Sequence, residues 1–588
     1  MVQFLKYTLA TIVGLFLFFF LFFLIIIGIA ASSASGDEVT ISKNSVLELK
    51  LDQPITERQA KDPFEDLGLP LGGFGSGGYG LDEIKASIRK AKSDKNIKGI
   101  FLNVEMVDAG MATLEEIRKE LIDFKQSKKF VVAYNDICSE KAYYLVSVAD
   151  KMYVNPQGAF ELNGLSAETM FFKNMLEKLN IDVNIFKVGE FKSAVEPLFL
   201  DKMSEPNRLQ VTSFLNSLNN YYLQNVAKSR NKSVAELKNI SDSMLVHSPE
   251  DALKFGLITN VGYYDEALDY MKKRSGLDAD SKMILVSLKK YRKVAGTAEG
   301  DYSKNRIAVI YAAGDIVNGE GDDESIGGTK FASEIRKARK DKAVKAIVLR
   351  INSPGGSAMA SDVIWREVML ARKEKPVIAS MSDYAASGGY YMAMACDTIV
   401  AQPNTITGSI GVFGVVPNFQ GFLNDKLGIT LDRVKTGKFS DLPTVTRQMT
   451  DFEKRIVQRE VEKIYTDFTS KAAKGRDMPL AQLQKIASGR VWSGIEAKER
   501  GLVDVLGGLD EAVKIAAARA NLKNDYRLKK LPAQRSFLDD FMGEATKEVK
   551  TRSIRAELGE LYPYFEQLQK VSRLQGIQAR LPFELKVQ

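Results

Sequence analysis

The chain has 588 residues, 45% of them hydrophobic and 27% charged, which is enough apolar material for about three or four domain-sized units and argues against extended disorder. Its formal net charge of +8 is a small excess of 82 basic over 74 acidic residues, without the basic stripe that nucleic-acid binding needs, so no nucleic-acid partner is expected. A single histidine, His247, and two distant cysteines, Cys138 and Cys396, exclude an HExxH centre and argue against a Cys/His zinc cluster; neither metal nor cofactor is expected, and a single disulfide stays open.

In chain order, a short N-terminus, 1–8, precedes an apolar run, 9–31, built almost wholly of Leu, Phe, Ile, Val, Ala and Gly. At about 1.5 Å per residue such a helix spans a hydrocarbon core of about 30 Å. A cleavable signal peptide has an apolar region of only about 7 to 15 residues, so the run reads as an uncleaved signal anchor. The small residues from Ala30 to Ser35 are the alternative, a cleavage site. Lys6 before the run and Asp37-Glu38 after it put the N-terminus in the cytoplasm and the bulk of the chain outside.

The rest of the chain repeats itself. Residues 94–102, DKNIKGIFL, lie over 341–349, DKAVKAIVL, at a shift of 247, which also superposes Tyr143-Tyr144 on Tyr390-Tyr391, Asp150 on Asp397, Pro156 on Pro403 and Gly164 on Gly411. Two tandem repeats of one α/β fold are expected, 40–275 and 306–531, joined by a connection at 276–305 and followed by a charged, helical-patterned extension, 532–588. The first carries a Gly-rich insertion, 71–80. Within a repeat, apolar runs such as Lys345 to Ile351 and Val377 to Met381 alternate with helical patterns such as Ala360 to Lys373, which predicts a parallel sheet with helical crossovers.

Candidate chemistry lies at two strand-to-helix turns of the second repeat. Asn352-Ser353-Pro354-Gly355-Gly356-Ser357 exposes backbone N–H groups, as an oxyanion hole requires, and Ala385-Ala386-Ser387-Gly388-Gly389-Tyr390 sets Ser387 near a helix N-terminus. Either is by itself an ordinary Gly-rich turn. The first repeat has Glu140 in place of Ser387, and Asp108 and Ala109 in place of Gly355 and Gly356. It has instead Phe191-Lys192-Ser193-Ala194-Val195-Glu196-Pro197, and after a one-residue slip Lys192 falls on Ser440 of the second repeat. This complementary loss predicts one composite site, with the Ser387 hydroxyl activated by Lys192 once burial disfavours the charged amine. His247 aligns with Trp492 and reads as a packing residue.

At Lys345 to Ser357, at Ser387-Gly388-Gly389-Tyr390, at Thr407-Gly408-Ser409-Ile410-Gly411 and at Phe191 to Pro197 the chain resembles the signal peptide peptidase A (protease IV) family in its long duplicated form. The resemblance implies tandem Clp-protease/crotonase-like domains and a homotetramer, anchored by one helix in the lipid of a bacterial inner membrane. It also implies a periplasmic serine endopeptidase acting on released signal peptides. It assigns Ser387 as nucleophile and Lys192 as base, has Ser409 hydrogen-bond the lysine, and uses amides at Gly355 or Gly356 and at Gly388 for the oxyanion. Rival readings are an acyl-CoA enzyme of the crotonase type, a membrane-tethered scaffold without activity, and a penicillin-binding protein suggested by Lys435-Thr436-Gly437 and by Ser87 to Lys90. An extracytoplasmic domain disfavours the first, the complete dyad the second, and the absence of Ser-Asp-Asn the third. The pair can come together within one subunit or across a subunit boundary, and the first is favoured here because fusion keeps both repeats in one chain.

Overall fold

In the computed structural model the described residues are 2–34, 40–59, 78–294, 303–322, 324–533 and 577–581. The two repeats build the same sheet twice. In the first, the strands run in the order Asn260–Val261, Lys151–Phe160, Phe130–Cys138, Ile97–Asn103, Ser45–Leu49, Leu285–Ser287, and every pairing is parallel. In the second, Val377–Ala386, Val344–Ser353, Arg306–Ala313 and Arg527–Leu531 are the parallel equivalents, and Thr398–Ala401 and Val505–Leu506 continue beside Val377–Ala386. The central strands are apolar at nearly every position because both faces are covered. Ile347, Leu349 and Ile351 of Val344–Ser353 face the helices Gly328–Lys340 and Ala358–Ala371, while Ala346 and Val348 face Leu509–Arg519.

Two boundaries differ from the sequence reading. The stretch 276–305, expected to be only a connection, supplies the edge strand Leu285–Ser287, because Met283, Val286, Leu288 and Tyr291 have apolar surface to bury against the first sheet. The extension 532–588, expected to be helical, contributes the strand Ile577–Arg580, while 534–576 and 582–588 lie outside the described residues. Most of the Gly-rich insertion, 71–77, also lies outside them. The N-terminal segment is a helix, Val2–Ala34, but its side chains over 22–34 are outside the described residues. Among the described residues no helix is long and apolar enough to cross a membrane.

A third, mixed sheet joins the repeats. Its order is Ser325–Gly327, Asp315–Val317, Gly355–Ser357, Ile577–Arg580, Val412–Asn418, Asp182–Val188, so a first-repeat strand pairs antiparallel with a second-repeat one over seven residues. The repeats are also tied by buried charge. The fully buried Arg350 guanidinium contacts Glu57 at 2.7 Å and Glu116 at 2.8 Å, both from the first repeat, and Glu116 also meets Lys85. Burial by itself pushes the Glu116 carboxyl up, but Arg350 and then Lys85 outweigh it and hold the group well below the usual carboxylate range. Arg350→Met should therefore destabilise the protein by about 3 to 5 kcal/mol, since Glu57 stays buried without its cation. Glu116 has a folded pKa below its unfolded one, so its contribution is complete above the ordinary carboxylate range and fades as pH falls through the lower folded value. Urea unfolding of the variant and the parent between neutral and acid pH checks both statements.

Candidate active site

Ser387 ends the strand Val377–Ala386 and caps the helix Gly388–Ala393 with φ 54° and ψ −110°, a conformation that a side-chain-bearing residue adopts only when its surroundings hold it there. Its N–H donates to the Gly408 carbonyl at 2.8 Å, and its own carbonyl accepts from the Tyr391 N–H at 2.8 Å. Two glycines must follow. A Cβ on Gly388 would lie 2.6 Å from Ser361 Oγ and one on Gly389 2.8 Å from the Ser353 carbonyl, so the short helix could not pack this close with any other residue.

Lys192 comes from the first repeat, in the turn between Asp182–Val188 and the short helix Glu196–Phe199, and it is fully buried. Its Nζ is 2.9 Å from Ser387 Oγ, 3.0 Å from Ser409 Oγ and 3.2 Å from the Ser409 carbonyl. The sequence pairing of these three residues is thus realised in space, and one chain supplies them all. Burial holds the Lys192 amine well below its ordinary value, and no carboxylate among the described residues counters it. A neutral amine has two N–H groups and one lone pair. With both N–H groups donated to Ser409, the lone pair is left for the Ser387 hydroxyl proton.

The glycine strand Gly355–Ser357 lies alongside. Gly355 has φ 105°, and a Cβ on it would be 2.8 Å from the Gly388 nitrogen, so its bareness keeps open the space in front of that amide. The Gly355 N–H itself donates to Ser353 Oγ at 3.2 Å, which directs the expected oxyanion role toward Gly356 and Gly388.

Several residues that hold the site gave little signal in the sequence. Gly489, with φ 78°, passes so close that a Cβ would lie 2.7 Å from the Lys192 nitrogen and Cβ, and the Phe413 ring centroid is 5.9 Å from Nζ. Gln210 donates to the Phe191 carbonyl at 3.0 Å and accepts from the Val491 N–H at 3.2 Å, tying the lysine turn to the second repeat. Glu196 accepts from Ser204 Oγ at 2.5 Å and from Asn207 Nδ2 at 2.9 Å behind the same turn. Glu196 had a cue, since it lies within the Phe191 to Pro197 run, and Gly489 had one, since it stands just ahead of Val491-Trp492-Ser493, which lies over Val246-His247-Ser248 of the first repeat.

In the first repeat Glu140 fills the place of the serine and accepts from the backbone N–H groups of Asn163 and Gly164 at 2.5 and 2.7 Å, a structural use of the same turn. His247 corrects the packing expectation: it is exposed, and the adjacent Val246 takes the buried position. Cys138 and Cys396 are both buried and free, so the open disulfide is not formed. Lys435 ion-pairs with Asp441 at 2.6 Å.

Comparison with known proteins gives the family. The family model for Peptidase family S49 matches the chain twice, over residues 123–278 and 369–523. The chain is 35% identical over 489 residues to the chloroplastic serine protease SPPA of Arabidopsis thaliana, covering 82% of this chain and 70% of that one. It is 35% identical over 475 residues to Protease 4 of Haemophilus influenzae, 78% of this chain and 76% of that one, and 36% identical over 486 residues to Protease 4 of Salmonella typhi, 80% and 76%. The molecule is a serine protease of mixed α/β fold. It belongs to peptidase family S49, as a member whose domain is duplicated.

Proposed function

We propose that the chain is an endopeptidase with a Ser387-Lys192 dyad that degrades released signal peptides on the outer side of a bacterial inner membrane. The observation that carries the reading is the 2.9 Å contact between a fully buried amine, whose pKa burial lowers, and the hydroxyl of a strained serine. Lys192 takes the proton as Ser387 Oγ attacks the scissile carbonyl, and the ammonium so formed protonates the departing amine. Water then attacks the ester with Lys192 again as base. Ser409 orients the amine, and the Gly356 and Gly388 amides receive the developing negative charge, with Gly355 leaving room for it. In this reading the repeats are Clp-protease/crotonase-like domains, the 9–31 run is the lipid anchor with the catalytic part facing the periplasm, and four chains assemble.

The test uses a serine-reactive fluorophosphonate and a peptide library. Phosphonylation of Ser387 that is lost in Lys192→Met, with cleavage beside apolar and small side chains as signal peptides offer, is the expected result. Labelling elsewhere, or a preference for charged residues at the scissile position, would remove the reading.

A further inference from the structure

The nucleophile and its base come from different repeats, so the 2.9 Å between them depends on what holds the two repeats in register at this point. The segment Ser488–Val491 does so. On one side it carries the lysine turn: the Glu190 N–H donates to Ser488 Oγ at 3.0 Å and the Phe191 N–H to the Ser488 carbonyl at 3.0 Å. On the other side it carries the rest of the site. The Gly489 N–H donates to the Ile410 carbonyl at 2.8 Å, and the Arg490 carbonyl accepts from the Ser409 N–H at 2.7 Å. Val491 lies antiparallel to Gly408, whose carbonyl receives the Ser387 N–H. Ser488 and Gly489 are both left-handed, with φ 53° and 78°, as is Ser409, with φ 50°. Side-chain-bearing residues keep that conformation only where their surroundings impose it.

These contacts reach the lysine turn through its amides. Its carbonyl side is held by a side chain from outside the turn. Gln210, on the helix Glu205–Arg230, is fully buried, and its amide group donates to the Phe191 carbonyl at 3.0 Å and to Ser193 Oγ at 2.8 Å, the residues on either side of Lys192. Its oxygen accepts from the Val491 N–H at 3.2 Å, which closes the link back to the same segment. The second repeat shows that packing of this helix does not require a glutamine. At a shift of 246 the N-cap Ser204 falls on the N-cap Thr450 and the buried Tyr222 on the buried Phe468, and Gln210 then falls on Ile456. An isoleucine fills the place without the cost of burying an amide. The repeat that has no lysine thus has no glutamine either, the same complementary pattern as in the dyad.

We propose that Gln210 is a positioning residue for the reaction: with Ser488–Val491 it fixes the lysine turn against the serine strand and so sets the separation of Lys192 from Ser387. The inference rests on the dyad reading. Gln210 is bonded to the neighbours of Lys192 and acts through them. A displacement of about 1 Å between groups that must react costs on the order of a hundred-fold in rate.

The test sets the full-length parent beside Gln210→Met, which keeps the length of the side chain but has no amide, and Ser488→Gly, which removes the hydroxyl that receives the Glu190 N–H and suits the left-handed backbone. Gln210→Met should lower kcat by about thirty- to a hundred-fold with KM within about two-fold, and Ser488→Gly should lower it by about three- to ten-fold at a melting temperature close to the parent's. The rate at which a fluorophosphonate phosphonylates Ser387 should fall in parallel, since so small a reagent reads activation of the hydroxyl rather than peptide binding. The acid limb of the pH-rate profile should move to higher pH, because a loosened turn admits water to the Lys192 amine and weakens the burial that lowers its pKa. The charged groups around the turn, Glu190 and Glu196 in the chain and Arg490 against the Phe191 ring, are the same in both variants and do not account for such a move. A purely structural glutamine would lower the melting temperature and leave kcat per folded molecule, the phosphonylation rate and the acid limb where they are, and that result would overturn the proposal. If Gln210→Met does not fold, Ser488→Gly with the parent's kcat and acid limb overturns it alone. A parent chain that cleaves peptides without being phosphonylated at Ser387 removes the dyad reading and the proposal with it, an outcome told apart from the first because it appears before any variant is compared.

Discussion

Lys192→Met is expected to lower kcat/KM by on the order of ten-thousand-fold or more, since the nucleophile and its base act as one unit. The same change should raise stability at neutral pH. Lys192 is buried with an amine pKa well below 10.5, so in the window between its folded and unfolded values the unfolded chain binds the extra proton. Parent stability therefore rises with pH across that window, and the deficit relative to methionine is largest below it and closes toward the unfolded value. Ser387→Ala should be as inactive and gain nothing of the kind, which separates loss of the base from relief of its burial. In the active parent, kcat/KM should rise with pH through the lowered Lys192 pKa and level off well below 10.5. Thermal melts at several pH values and a pH-rate profile check these points. A rate flat from acid to neutral pH with chemistry limiting, or a methionine variant that keeps most of its activity, would be incompatible with Lys192 as base.

The sequence alone carried the duplication and singled out Lys192 and Ser387, because the two repeats can be compared position by position. A shift of 247 aligned strands that the structure pairs identically, and Lys192 and Ser387 stood out as residues each present in one repeat and absent from the other. The structure extended Val377 to Met381 as far as Ala386, since the strand continues until the backbone turns left-handed at Ser387. What the sequence could not show depends on distant partners. Gln210 looks like any helix glutamine until its oxygen meets Val491, and Arg350, the residue between two unremarkable apolar neighbours, becomes the link between repeats only when Glu57 and Glu116 arrive from far upstream. Residues 577–580 have no counterpart in the first repeat, so self-similarity could not reveal that they pair with the glycine strand.

Gly355→Ala is the second large effect expected, a fall in kcat/KM of about a hundred- to a thousand-fold, the range seen when one oxyanion donor is lost. The argument has two parts. First, φ 105° is a conformation that alanine rarely adopts, so the turn either strains or shifts. Second, whichever peptide is bound, the new methyl would sit 2.8 Å from the Gly388 nitrogen, in the space an oxyanion has to enter. Lys192 and Ser387 lie on other elements and should keep their contact, so the variant ought to retain the depressed lysine pKa that the pH dependence of its stability reports. Gly356→Ala is the companion case. Its Cβ would fall 2.1 Å from the Ile316 carbonyl and 2.7 Å from the Ile316 nitrogen, backbone atoms that cannot move aside without opening the third sheet, so its damage should appear in the melting temperature as well as in the rate. The position-355 variant meets backbone as well, the Ala579 carbonyl at 2.1 Å and the Gly388 nitrogen at 2.8 Å, so it too should lower the melting temperature, and the rate per folded molecule is the quantity that tests the oxyanion argument. If that variant instead cleaves peptides within about three-fold of the parent, the space before Gly388 is not where the charge develops, and the electrostatic part of the mechanism must be sought elsewhere.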